Sequence, residues 1–216
     1  MRGSSFSDTH CHPVKLQQPS DCPISAVENQ TGPMHSESDS VLVESCRQGD
    51  RQAFNDLVLR HQTLVYRVIM KMVNNHDEAL DLTQDVFIKA WQTIDTFRGD
   101  SLFSTWLYRI ATNLTLNHLR RRKIVSFFSM DDTDQREFQH DQPDPHEALE
   151  NQQTAAIIQS AIDKLPARQR AVFVLRYNEE LPYNEISKIL GTSIGALKAN
   201  YFHAMKKVEE YVRNAM

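Results

Sequence analysis

Residues 186–201 read ISKILGTSIGALKANY, and the apolar positions in this stretch decide the fold. Ile186, Ile189 and Leu190 recur at helical spacing, Gly191-Thr192-Ser193 interrupts them, and Ile194, Leu197 and Tyr201 resume the period. Glycine suits the left-handed residue that follows a helix, so the joint reads as two short helices packed across a tight turn, a helix-turn-helix. A plain helical hairpin in a core has the same spacing. In a DNA-binding unit the second helix starts near Ser193 and offers its first turns to the major groove. There Lys198 meets phosphate or guanine and Asn200 pairs with adenine. Lys206, Lys207 and Arg213 lie further along, better placed for backbone phosphate or solvent.

Working outward from this joint, helical periodicity persists. Leu149, Ala156, Ile157, Ala161 and Leu165 mark one helix, and Pro166 suits the first residue of the next, which carries Ala171, Val172 and Leu175. Toward the N-terminus, Ala53, Phe54, Leu57, Val58, His61, Leu64, Val65, Val68, Ile69 and Met72 recur every three or four residues. That stripe predicts a helix from Arg51 to Val73, about 34 Å long. A second amphipathic helix follows Asn75, with Ala79, Leu82, Val86, Ala90 and Trp91 inward. A third runs from about Ser104 to Lys123, and a short helix near 41–47 opens the set. No segment reads as a strand. The expected fold is all-α: two small helical domains, 37–128 and 148–216, joined by a flexible acidic linker at 129–147. Residues 1–36, with prolines at 13, 19, 23 and 33, read as a disordered extension, and Met34 is an alternative start.

Composition narrows the classes. Apolar types make up 40%, charged types 24% and glycine only 6 residues of 216, which excludes collagen-like and wholly disordered chains. No apolar run approaches the ~20 residues of a membrane span or the ~7 to 15 of a signal-peptide core, so a soluble, cytoplasmic protein is expected. Cys11, Cys22 and Cys46 are odd in number and form no CxxC pair. His10-Cys11-His12 with Cys22 lacks paired zinc spacing, so neither metal nor cofactor is expected. Phosphate-loop, dinucleotide and HExxH motifs are absent, and no enzymatic activity is read. Net charge is -4, yet residues 129–150 carry 1 basic and 8 acidic groups, leaving +3 on the rest. The cations cluster in Arg120-Arg121-Arg122-Lys123, a run longer than a helix dipole requires. Trp106 near those cations suits unpaired bases, and core packing is its plain alternative. Asp81, Asp85, Ile88 and Gln92 share one stripe, which suits protein docking or solvent.

These residues carry a resemblance. Asp81-Leu82-Thr83-Gln84-Asp85-Val86-Phe87-Ile88-Lys89-Ala90-Trp91, then Phe97-Arg98-Gly99-Asp100-Ser101 with Thr105-Trp106-Leu107-Tyr108-Arg109-Ile110-Ala111-Thr112-Asn113, and finally Leu165-Pro166-Ala167-Arg168-Gln169-Arg170 with the helix-turn-helix, are together similar to the extracytoplasmic-function sigma factors of the sigma-70 family. The resemblance implies a promoter-specificity subunit of RNA polymerase, with an anti-sigma protein as a further partner. It implies that Asp81, Gln84, Asp85 and Lys89 contact the clamp helices of the polymerase largest subunit. Arg98, Gly99, Asp100, Ser101, Trp106, Asn113, Arg120, Arg121, Arg122 and Lys123 would read and melt the minus-10 element. Ser193, Ala196, Lys198, Ala199, Asn200, His203 and Lys207 would read the minus-35 element. Asn200 and His203 stand where the family commonly has Arg, and Pro182 stands where it often has Ser or Thr. The alternative reading is a stand-alone helix-turn-helix regulator that binds duplex DNA without polymerase.

Overall fold

The computed structural model describes residues 34–128 and 147–215. In chain order these form α1 (Met34–Arg47), α2 (Arg51–Val73), α3 (His76–Thr93), a 3-10 turn (Ile94–Thr96), α4 (Phe103–Phe128), α5 (Glu147–Asp163), α6 (Ala167–Phe173) running into a π turn (Val174–Asn178), α7 (Tyr183–Leu190) and α8 (Ile194–Ala215). No strand occurs among the described residues. Most of the expected extension, the histidine-cysteine cluster in it and nearly all of the acidic linker lie outside the described residues.

Local chemistry sets the helix ends. The Asp50 carboxylate accepts from the backbone N–H groups of Gln52 (2.8 Å) and Ala53 (3.3 Å), capping α2 at the expected Arg51. Asn74 ends that helix in the left-handed region at φ 52°, which Asn tolerates better than most residues, and Asn75 Oδ1 then accepts from Glu78 N to start α3. Four boundaries differ from expectation. Helix α1 starts at Met34, not near 41, and so takes in the last three residues of the extension expected to be disordered. Helix α4 runs to Phe128, five residues past Lys123. Pro166 stands outside α6 as its N-cap, because its ψ of 139° is extended. The closing helix α8 has 22 residues and is not short: Ala204 and Val208 continue its buried stripe beyond Tyr201 and seat it on Ala161, Ile162, Leu165 and Phe173.

Helices α1 to α4 enclose the first core, where Leu57, Val65, Ile69, Val86, Leu107 and Ala111 are fully buried. Each large side chain taken from water this way contributes about 1.5 to 3 kcal/mol. Asp39, itself buried, pins α1 to α2 through His61 Nε2 at 2.8 Å and Arg60 Nη1 at 3.2 Å. The two expected domains do not stand apart. Val68 and Met72 of α2 and Tyr108 of α4 share a cluster with Ala171, Val172, Val174, Leu175, Ile186, Ile189 and Leu197 from the C-terminal half. Buried Arg170 bridges the same seam, donating from Nη1 to Met72 O at 2.6 Å and from Nη2 to Asp163 O. Burial pushes the Arg170 guanidinium below its ordinary pKa, with Asp163 opposing.

Candidate nucleic-acid and protein interface

Helix α3 turns Leu82, Val86 and Ala90 inward, which leaves Asp81, Gln84, Asp85, Ile88 and Lys89 exposed. A groove of about 530 Å³ runs beside this row, walled by Phe54 and Val58 of α2 and by Phe87, Ile88 and Trp91 of α3. Trp91 meets Phe54 edge-on at 4.9 Å between ring centres. The row therefore combines two carboxylates, an amide, a cation and accessible apolar surface, the chemistry of a protein-docking face.

Between the 3-10 turn and α4, Arg98, Gly99 and Asp100 are exposed and Ser101 is half-buried. Gly99 takes φ 78°, a conformation that side-chain-bearing residues rarely adopt. Trp106 is half-buried, with its ring centre 5.5 Å from those of both Phe97 and Phe103. It thus belongs to the core as well as presenting part of its surface beside the loop. Asn113 is exposed further along α4, as are Arg120, Arg121, Arg122 and Lys123. Arg122 is not equivalent to its neighbours. Its Nη1 donates to Glu78 Oε2 at 3.2 Å, and the same carboxylate meets His118 Nε2 at 2.8 Å, tying α4 back to the first turn of α3.

In the helix-turn-helix, Gly191 adopts φ 60° and its N–H reaches Ser187 O at 2.9 Å. Ser187 Oγ donates to Thr192 O at 2.7 Å, which braces the turn. Ser193 Oγ accepts from Ala196 N at 3.4 Å, so α8 begins one residue after it, at Ile194. Pro182 supplies no side-chain cap to α7; Asn184 Oδ1 accepts from Glu185 N at 3.0 Å instead. Leu197 is buried, whereas Ser193, Ala196, Lys198, Ala199, His203 and Lys207 are exposed and Asn200 is half-buried. Lys207 Nζ donates to Gln169 Oε1 at 3.1 Å, anchoring it to α6. Sequence reading missed Phe202, 65% exposed on this helix between Asn200 and His203. The inward stripe of Leu197, Ala204 and Val208 already places it outside.

No cluster of His, Cys, Asp and Glu able to hold a metal occurs among the described residues. Nor is any described helix long and apolar enough to cross a membrane.

Comparison with known proteins bears on both halves. The family model for sigma-70 region 2 matches residues 57–124, and that for sigma-70 region 4 matches residues 155–208. The RNA polymerase sigma-H factor of Pseudomonas aeruginosa is 35% identical, over 81% of this chain and 93% of its own length. The ECF RNA polymerase sigma factor SigW of Bacillus subtilis is 33% identical over 80% and 95%, and the ECF RNA polymerase sigma-E factor of Escherichia coli 34% over 82% and 95%. Among solved structures, CnrH in complex with the cytosolic domain of CnrY shares the fold, with a TM-score of 0.62 at 23% identity over 83% of this chain and 99% of that one. The sigma factor RpoE of Bartonella quintana, solved with the anti-sigma factor NepR, gives 0.60 at 23% identity over 74% and 96%. With both region models matched and relatives above 30% identity along most of its length, the chain belongs to the extracytoplasmic-function group of the sigma-70 family of RNA polymerase sigma factors.

Proposed function

We propose that this sigma factor divides promoter-directed initiation between its halves, region 2 spanning 37–128 and region 4 spanning 148–216. The exposed row Asp81, Gln84, Asp85 and Lys89 docks on the clamp helices of the polymerase largest subunit. The loop Arg98 to Ser101, with the exposed part of Trp106 and Asn113, receives an unstacked base of the minus-10 element, while Arg120 to Lys123 hold its backbone. Unstacking costs a few kcal/mol per step, which a preformed pocket offsets. Ser193, Ala196, Lys198, Ala199, Asn200, His203 and Lys207 read the minus-35 element from α8. The chain works in the cytoplasm, performs no catalysis of its own, and is held in check by an anti-sigma protein.

One observation carries the reading: α3 keeps its apolar face buried and its acidic row open to solvent, so docking requires no rearrangement of region 2. Asp85→Lys tests it. The variant should lose co-purification with core polymerase while its helical circular dichroism stays unchanged. Retained co-purification would remove α3 from the docking role, and tight binding of promoter duplex without polymerase would favour a stand-alone regulator.

A further inference from the structure

The loop Arg98 to Ser101 does little to hold itself. Ser101 Oγ donates to Leu102 O at 3.4 Å, near the limit of a hydrogen bond, while Arg98, Gly99 and Asp100 stand exposed. Support comes from its two ends. At the entry, Arg47 in the last turn of α1 donates from Nη2 to Phe97 O, 50 residues along the chain. A peptide unit is planar, so fixing that oxygen also fixes the Arg98 nitrogen from which the loop departs. Arg47 Nη1 donates to Glu44 Oε2 at 3.1 Å, one turn back on the same helix, and the rigid guanidinium fork is thereby aimed. Phe97 N closes the 3-10 turn by donating to Ile94 O at 3.1 Å. At the exit, the Phe103 ring meets His61 edge-on at 5.3 Å, and buried Asp39 of α1 holds His61 Nε2 at 2.8 Å. The rings of Phe97 and Phe103 then meet at 5.5 Å and close the base of the loop. Helix α1 therefore supports both ends. A cation in the last turn of a helix suits the dipole, and an exposed pair with Glu44 contributes little to stability. Neither role calls for a bond aimed at a carbonyl of another element.

We infer that Arg47 is a positioning residue for minus-10 recognition: it fixes the peptide at the mouth of the loop Arg98 to Ser101, so that the loop meets an unstacked base already ordered. The inference rests on that loop receiving the base, as proposed above. A loop left free would have to lose its freedom as the base arrives, and the cost would be subtracted from binding. Asp39 acts at the exit in the same sense, through His61 and Phe103. The effect is confined to base capture, because the bonds of Arg47 reach neither the exposed row of α3 nor the cationic end of α4.

Arg47→Met keeps an apolar stem and removes the donors. The full chain, wild type or variant, is assembled with core polymerase and its affinity measured for promoter DNA pre-opened at the minus-10 element, either intact or made abasic at one non-template position at a time. At the position where loss of the base weakens wild type most, R47M should bind the intact template about tenfold more weakly, the low end of what a charge-assisted hydrogen bond contributes. On the template abasic there, R47M and wild type should bind alike, since no base remains to be received. R47K, which restores a charged donor, should recover part of the loss. If R47M lowers the helical signal, Glu44→Ala, which frees the guanidinium without touching the loop, takes its place and should show a smaller loss of the same kind. Equal weakening on both templates would mark a merely structural residue, and no weakening on either would mark an idle one; each overturns the inference while leaving base capture intact. A wild type that binds every abasic template as tightly as the intact one would instead refute base capture by region 2, and the role of Arg47 would fall with it.

Discussion

Arg120, Arg121 and Arg122 are consecutive and all exposed, yet they enter different electrostatic surroundings. The Arg122 guanidinium already faces the Glu78 carboxylate, whereas no hydrogen bond or ion pair of Arg120 or Arg121 occurs among the described residues. A phosphate contact releases counterions only to the extent that the cation was free to replace them. Arg120→Ala and Arg121→Ala should therefore each flatten the salt dependence of open-complex formation by ~0.9 per lost duplex contact, or ~0.7 on a single strand. Arg122→Ala should flatten it less, and equal effects from all three, measured over stepped salt, would refute the distinction. The basic run was legible as composition. Its internal division was not, since Glu78 lies 44 residues upstream and only the packing of α3 on α4 brings it near.

Helices with chemically marked ends were the most readable elements. The starts expected at Arg51 and just after Asn75 are the ones the fold uses, and it caps them with the Asp50 and Asn75 side chains. Asp50→Ala should cost about 1 kcal/mol in urea unfolding, by leaving the Gln52 and Ala53 N–H groups without that acceptor, and an unchanged midpoint would show water serving equally well. Elsewhere the marks mislead or are missing. Pro166 satisfies the preference for a first helical residue, yet serves one position earlier, where its ψ remains extended. The length of α8 exceeded expectation because Val208, Tyr211 and Val212 find partners on α5 and α6, a tertiary cause that periodicity near Tyr201 does not advertise. The π turn after α6 has no apolar period of its own and could not be read. Among the site residues, exposure along α3 and α8 followed from the buried stripes, whereas the double duty of Trp106 depended on where Phe97 and Phe103 come to rest.

At the scale of the molecule, sequence reading separated two helical modules and joined them by an acidic strap; it could not show that they share a core. Contacts such as the ion pair of Arg67 on α2 with Glu179, 112 residues on, leave no periodic trace, because each partner alone reads as an ordinary surface charge. The shared cluster makes the halves thermodynamically interdependent. Both tryptophans, Trp91 and Trp106, belong to region 2, whereas circular dichroism reports every helix. Their thermal transitions should coincide in the wild-type chain and separate in R67E, and two resolved wild-type transitions would show that the shared core contributes little. Another tie has a mechanical meaning. Glu78 grips His118 and Arg122 from the first turn of α3, one turn before Asp81 begins the outward acidic row. A load borne by that row thus passes within one turn of a rigid helix to the cationic tail of α4, in series and with no hinge between the two among the described residues.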